Sequence, residues 1–162
     1  MSTLAPTQQL DDRVVVIAGG LGAVGRATAL RMAWLGARIV ILHRREASEA
    51  AALIATLEGH GHLGVRASIT ESAQLREAAL QVSRQCGAAH ILVNTAGFTK
   101  PVPADDLEGL TDSLIDDSFA SNFRGVFATI RAFHPLLKAT GDGLVVNVSS
   151  IAGITGTGSN LA

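Results

Sequence analysis

Four glycines crowd into seven residues, Gly19, Gly20, Gly22 and Gly25, directly after the apolar run Val14-Val15-Val16-Ile17. A pattern of small and apolar residues with helical spacing (Ala23, Ala27, Leu30, Trp34) follows them. A β-branched run of this kind reads as a strand buried on both faces. Strand, glycine turn and helix together make an anion site. A helix N-terminus carries unpaired N–H groups and about half a positive charge. Glycine lets the backbone turn tightly and approach a phosphate without a Cβ in the way. The spacing Gly20-x-Gly22-x-x-Gly25 also fits the general dinucleotide fingerprint, in the strand-to-helix context that the fingerprint requires.

The next apolar run, Arg38 to Leu42, ends in His43-Arg44-Arg45. In a doubly wound sheet the carboxyl end of this strand faces the ligand crevice. An acid there would hold a ribose 2′-hydroxyl. Two guanidinium groups suit a 2′-phosphate instead, through charge-assisted hydrogen bonds. The expectation is therefore NADP(H) over NAD(H). Read as a plain solvated helix start, two cations would face the wrong end of the dipole.

The remaining elements must position these groups. Ala47 to Leu57 reads as a second helix and Leu63 to Ala67 as a third strand. Thr70 is expected to cap a helix whose buried face carries Leu75, Ala78, Ala79, Val82 and Cys86. Ala89 to Asn94 is a fourth strand, and the small residues Thr95-Ala96-Gly97 after it permit close backbone approach. Thr111 should cap a long helix reaching about Ala139, with Phe119, Phe123 and Phe127 four apart and Pro135 loosening its last turn. Leu144 to Val148 is a fifth strand, with Ser149-Ser150 at its end. Strand and helix alternate throughout, which calls for a parallel sheet with right-handed crossovers and helices on both faces.

Composition bounds the rest. The 162 residues are 48% hydrophobic and 17% charged, enough for one domain with a real core. The net charge of −1 and the lack of a basic run argue against nucleic acid or an anionic membrane as a partner. Residues 1–12 are expected to form a flexible leader before a domain over 13–162, without signal-peptide character. Cys86 is the single cysteine, which fits packing and a reducing cytoplasm. His60 and His62, with no cysteine or carboxylate cluster beside them, read as a solvated loop rather than a metal site.

Taken in order, these pieces resemble the classical short-chain dehydrogenase/reductase family. The glycine turn of that family falls on Ala18 to Gly25, with Ala18 and Ala23 replacing a threonine and a glycine. Its N-N-A-G motif falls on Asn94-Thr95-Ala96-Gly97, and Ser68 stands where an aspartate often touches adenine. The helix asparagine of its catalytic tetrad matches Asn122, and the segment Val145 to Gly153 matches its fifth strand, with Ser150 as the catalytic serine. The resemblance implies a Rossmann-type sheet in the order 3-2-1-4-5, continuing to 6-7 in the family. It implies cofactor contacts from Gly19, Gly20, Leu21, Gly22, Val24, Gly25, His43, Arg44, Ser68, Ile69, Asn94, Ala96 and Gly97. It further implies hydride transfer between a nicotinamide and a small-molecule alcohol or carbonyl, with Ser150 orienting the substrate oxygen and Asn122 holding a water. Pairing of the 111–139 helix would give a homotetramer or homodimer. The tetrad's tyrosine would fall at position 163, the 162 residues contain no tyrosine, and no lysine follows Lys138. The expectation is therefore an oxidoreductase if the chain continues. The alternative is a truncated or non-catalytic dinucleotide-binding protein, and this stretch alone is expected to be inactive.

Overall fold

The computed structural model describes residues 10–162. Residues 1–9 of the expected leader lie outside them. Of residues 10–12, Leu10 is packed, its N–H donating to the Leu35 carbonyl at 3.0 Å and its side chain lying against the core, while Asp11 and Asp12 are exposed.

The elements run β1 (Val14–Ala18), α1 (Ala23–Trp34), β2 (Arg38–His43), α2 (Ala47–Ile54), β3 (Leu63–Arg66), α3 (Ser72–Cys86), β4 (Ile91–Asn94), α4 (Asp112–Phe119), a π-helical segment (Ala120–Gly125), α5 (Val126–Ala139), β5 (Leu144–Asn147) and α6 (Ala152–Thr155). All strand pairs are parallel, and the sheet order is β3-β2-β1-β4-β5. This is the expected doubly wound order. Side chains alternate across the pleat, so β1 feeds two separate cores. Val15 and Ile17 pack with Ala29 and Ala33 of α1 and Ala50 and Leu53 of α2. Val14, Val16 and Ala18 pack with α3 and with Ala128, Phe133 and Leu137 of α5. Both faces being covered explains why β1 and β2 read as unbroken apolar runs.

The helices depart from expectation in several places, α2 ending at Ile54 rather than Leu57 among them. The buried face of α1 is Gly25, Ala29 and Ala33, not Ala23, Ala27, Leu30 and Trp34. Small side chains let the helix lie close to the sheet, while Leu30 stays outside and Trp34 carries the Arg31 guanidinium over its ring at 4.0 Å. Thr70 does not cap α3, which starts at Ser72. The Thr70 hydroxyl bonds that of Ser68 at 2.8 Å, and Gln74 Oε1 accepts the Ser68 N–H at 2.9 Å. Thr111 does cap α4, its hydroxyl accepting the Leu114 N–H, but the long helix is interrupted by the π-helical segment. Helix α5 continues through Pro135 to Ala139. The residues after β5 form the short helix α6, which no periodicity announced.

Candidate functional site

A cavity of about 420 Å³ opens at the carboxyl ends of β1 to β4. It lies where the chain leaves β3 on one side of β1 and returns as β4 on the other, the crevice where doubly wound sheets take ligands. Its volume falls within the usual range for ligand sites.

The first wall is the glycine turn. Gly19 adopts φ +79°, and a Cβ there would stand 2.7 Å from the Ala96 backbone. Its carbonyl accepts the Gly22 N–H at 2.9 Å, which closes the turn. A Cβ on Gly25 would fall 2.4 Å from that same carbonyl oxygen, so only hydrogen fits where α1 meets β1. Gly22 is the N-cap of α1. No side chain caps the helix and no acid lies in its first turn. The N–H groups therefore face the cavity edge with their dipole uncompensated.

The second wall follows β2. His43 is buried and its Nδ1–H donates to the Arg45 carbonyl at 3.1 Å, which shapes the turn that carries Arg44. Arg45 pairs with Glu49 one helical turn on, at 3.1 Å. Arg44 lines the cavity and joins no ion pair among the described residues.

The third wall is the loop after β3. Ser68, Ile69 and Thr70 line the cavity. The fourth is Thr95 to Phe98 after β4. Thr95 Oγ1 and Thr95 N–H both donate to the Ala18 carbonyl, at 2.8 and 2.9 Å, binding this loop to the end of β1. Asp117 of α4 and Ser121 of the π-helical segment complete the rim.

Of the residues expected to touch a cofactor, Gly19, Leu21, Gly22, His43, Arg44, Ser68, Ile69, Ala96 and Gly97 line this cavity. Gly20, Val24, Gly25 and Asn94 do not. Gly20 lies under Ile41, Gly25 seats α1, and Val24 is exposed on the outer side of that helix. Asn94 is buried in the sheet, where its Nδ2 donates to Asn147 Oδ1 at 2.8 Å across the β4–β5 pair. Thr95, one residue on, lines the cavity in its stead. Arg45 and Thr95, which the sequence reading set beside the crevice without counting them among the cofactor contacts, also line the cavity, whereas Thr70, Phe98, Asp117 and Ser121 escaped it as site residues. For Asp117 and Ser121 no local motif gave a signal.

The two expected catalytic residues stand apart from the cavity wall. Asn122 in the π-helical segment holds the Phe98 backbone at both ends of its amide: Oδ1 accepts the Phe98 N–H and Nδ2 donates to the Phe98 carbonyl, each at 2.8 Å. Ser150 follows β5, is exposed, and its hydroxyl accepts the Ala152 N–H at 3.1 Å.

The His60–His62 loop is pinned rather than freely solvated. His62 Nδ1 accepts the Ile39 N–H at 3.0 Å, and its Nε2–H donates to the Glu58 carbonyl at 2.8 Å. Burial holds the His62 pKa below the ordinary imidazole value. Burial likewise pushes the Cys86 thiol up, away from reactivity.

A family profile described as short chain dehydrogenase matches residues 13–161. Levodione reductase of Leifsonia aquatica is 33% identical over 162 residues, covering 97% of this chain and 59% of that protein. D-threitol dehydrogenase of Mycolicibacterium smegmatis is 34% identical over 146 residues, covering 89% of this chain and 55% of that protein. The crystal structure of levodione reductase superposes with a TM-score of 0.80 at 29% identity, over 93% of this chain and 58% of the other. The chain thus spans about three fifths of the length of curated relatives such as these.

Proposed function

This chain belongs to the short-chain dehydrogenase family, and from that premise we propose that residues 13–162 form an NADP(H)-binding domain serving an oxidoreductase of small alcohols or carbonyl compounds. The observation that carries the reading is Arg44. It is a guanidinium in no ion pair among the described residues, in a cavity whose adjoining wall is a glycine turn under a bare helix N-terminus. The fit to a dinucleotide rests on that cradle, since a Cβ on Gly19 would meet the Ala96 backbone at 2.7 Å.

When bound, the nicotinamide would supply hydride chemistry. The protein's share is to hold and orient. The N–H groups at the start of α1 and the backbone of Gly19 to Gly22 would take the pyrophosphate. Arg44 would take the 2′-phosphate, with Arg45 beside it and His43 fixing their turn. Ser68 and Ile69 would border the base, and Ala96 and Gly97 would border the ribose. Asn122 acts as a positioning residue by holding the Phe98 backbone against the π-helical segment. Ser150 would orient the substrate oxygen. The 162 residues contain no tyrosine, so they carry two of the family's four catalytic groups and are expected to bind without turnover. A cytoplasmic location goes with this reading. So does self-association through the 111–139 helices, whose Phe119, Phe123 and Phe127 are exposed.

Titration with NADPH and NADH, followed by nicotinamide fluorescence, tests the assignment. Tighter binding of NADPH is expected. Arg44→Asp should cost NADPH roughly 10- to 100-fold in affinity, the worth of a hydrogen bond to a charged group, and turn preference toward NADH. An unchanged preference in Arg44→Asp would refute the role given to that residue.

A further inference from the structure

Among the described residues, Asp117 is the one carboxylate on a cavity wall whose other polar groups include the Arg44 and Arg45 guanidiniums, the backbone of the glycine turn and the hydroxyls of Ser68, Thr70, Thr95 and Ser121. It joins no ion pair among the described residues. A carboxylate is a poor neighbour for phosphates, so its place in the cavity calls for a different ligand group. Ionised carboxylates only accept hydrogen bonds. The group that suits Asp117 is therefore a donor on the same ligand that brings its anions to Arg44 and α1.

The β2–β3 register sets His43 beside Arg66, so the loop after β3 adjoins the turn that carries Arg44. The π-helical segment that continues α4, the helix bearing Asp117, is fastened to this same loop. Arg124 donates to the Thr70 carbonyl at 3.2 Å, and Ile69 lies against Gly125, where a Cβ would meet it at 3.0 Å. A ribose phosphorylated next to Arg44 would direct its base toward the wall formed by Ile69, Asp117 and Ser121. The Ser68 hydroxyl on that loop is engaged by Thr70.

We propose that Asp117 reads the exocyclic amine of the nucleotide's base and makes this site selective for adenine over a base with a carbonyl at that position. The inference rests on the dinucleotide reading above and adds a specificity residue to it. An amine donates to the carboxylate; a carbonyl oxygen in its place sets two acceptors against each other.

The test titrates the 162-residue chain with NADPH and with its hypoxanthine counterpart, in which a carbonyl replaces the amine. Wild type should favour NADPH by about tenfold, a modest charge-assisted hydrogen bond at an open rim. Asp117→Ala and Asp117→Asn should bring the affinity ratio close to one. The ratio is the readout because removing a negative charge will tighten both ligands through their phosphates, and that effect cancels. A wild-type ratio near one, or a ratio that survives in Asp117→Ala, overturns the proposal while leaving dinucleotide binding intact. Failure of both nucleotides to bind would overturn this inference and the dinucleotide reading together.

Discussion

At position 25 the difference between hydrogen and methyl decides whether the glycine turn can close. The Gly19 carbonyl oxygen and the Gly20 Cα would lie 2.4 and 2.7 Å from an added Cβ, and both are backbone atoms that cannot rotate away. Gly25→Ala must therefore push α1 off β1. Overpacking of this kind typically costs 1–3 kcal/mol. Because the displaced segment is the proposed anion cradle, NADPH affinity should fall along with the urea midpoint. Full affinity in Gly25→Ala would show that the cradle does not depend on this contact. Such residues were legible because glycine spacing encodes a backbone demand. Arg44 was legible too, since an apolar strand announces its own end and the next side chains fall at the crevice. Asn94 and Thr95 show the limit. Near a strand end, a shift of one residue exchanges the sheet interior for the cavity, and composition does not set that phase. Asn94 bonds Asn147 inside the sheet while Thr95 faces the site.

Elements were read well where burial is two-sided and poorly where packing prefers small side chains. In α1 the bulky Leu30 and Trp34 dominate any hydrophobic pattern, yet the sheet selected Gly25, Ala29 and Ala33. The π-helical segment had no sequence signature at all, although π turns gather at functional sites. Its Asn122 clamps the loop after β4 with two bonds, each worth about 1 kcal/mol. Asn122→Ala should therefore speed hydrogen exchange at the Phe98 amide and weaken NADPH binding several-fold. An unchanged Phe98 exchange rate would remove the positioning role. At the opposite ends of the strands, two imidazoles act as staples. His62, just before β3, accepts the Ile39 N–H of β2, and His90, just before β4, accepts the Val14 N–H of β1. Both bonds need an unprotonated Nδ1. Around His62 stand Arg38, His60 and the Glu58 carbonyl, and burial is the largest cause of its lowered pKa. The unfolded chain thus binds the proton more readily than the folded one. This contribution to stability is whole above the ordinary value of 6.5 and is lost as pH falls from there through the folded-state value. One half-buried hydrogen bond amounts to at most about 1 kcal/mol. A melting temperature lower at pH 5.5 than at pH 7.5, with a shallower slope in His62→Gln, is the expected result.

For the molecule as a whole, the sheet order and the cavity account for the interior but leave exposed apolar surfaces that the fold itself does not explain, the aromatic one foremost. Phe119, Phe123 and Phe127 are 60%, 73% and 61% exposed, and they sit on the α4–α5 stretch whose inner face carries Leu114, Ala128 and Phe133 into the core. Three largely exposed phenylalanines present roughly 400 Å² of apolar surface, comparable to the largest patch expected on a monomer. Pairing two such surfaces removes twice that area from water. At about 25 cal/mol per Å², the gross gain is of the same order as the cost of association, so the outcome depends on how well the rings interdigitate. A central, fully desolvated aromatic should then matter most. Phe123 is the middle residue of the three and the most exposed. Phe123→Asp places a charge where the two copies would meet, and an unpaired buried charge is costly. Sedimentation equilibrium should show the wild-type chain associating with rising concentration and Phe123→Asp remaining monomeric, with nucleotide affinity unchanged because the stripe lies off the cavity wall. An associated mass that persists in Phe123→Asp would shift the interface elsewhere. The next surface to probe would then be β5, where Leu144 and Val146 are also exposed.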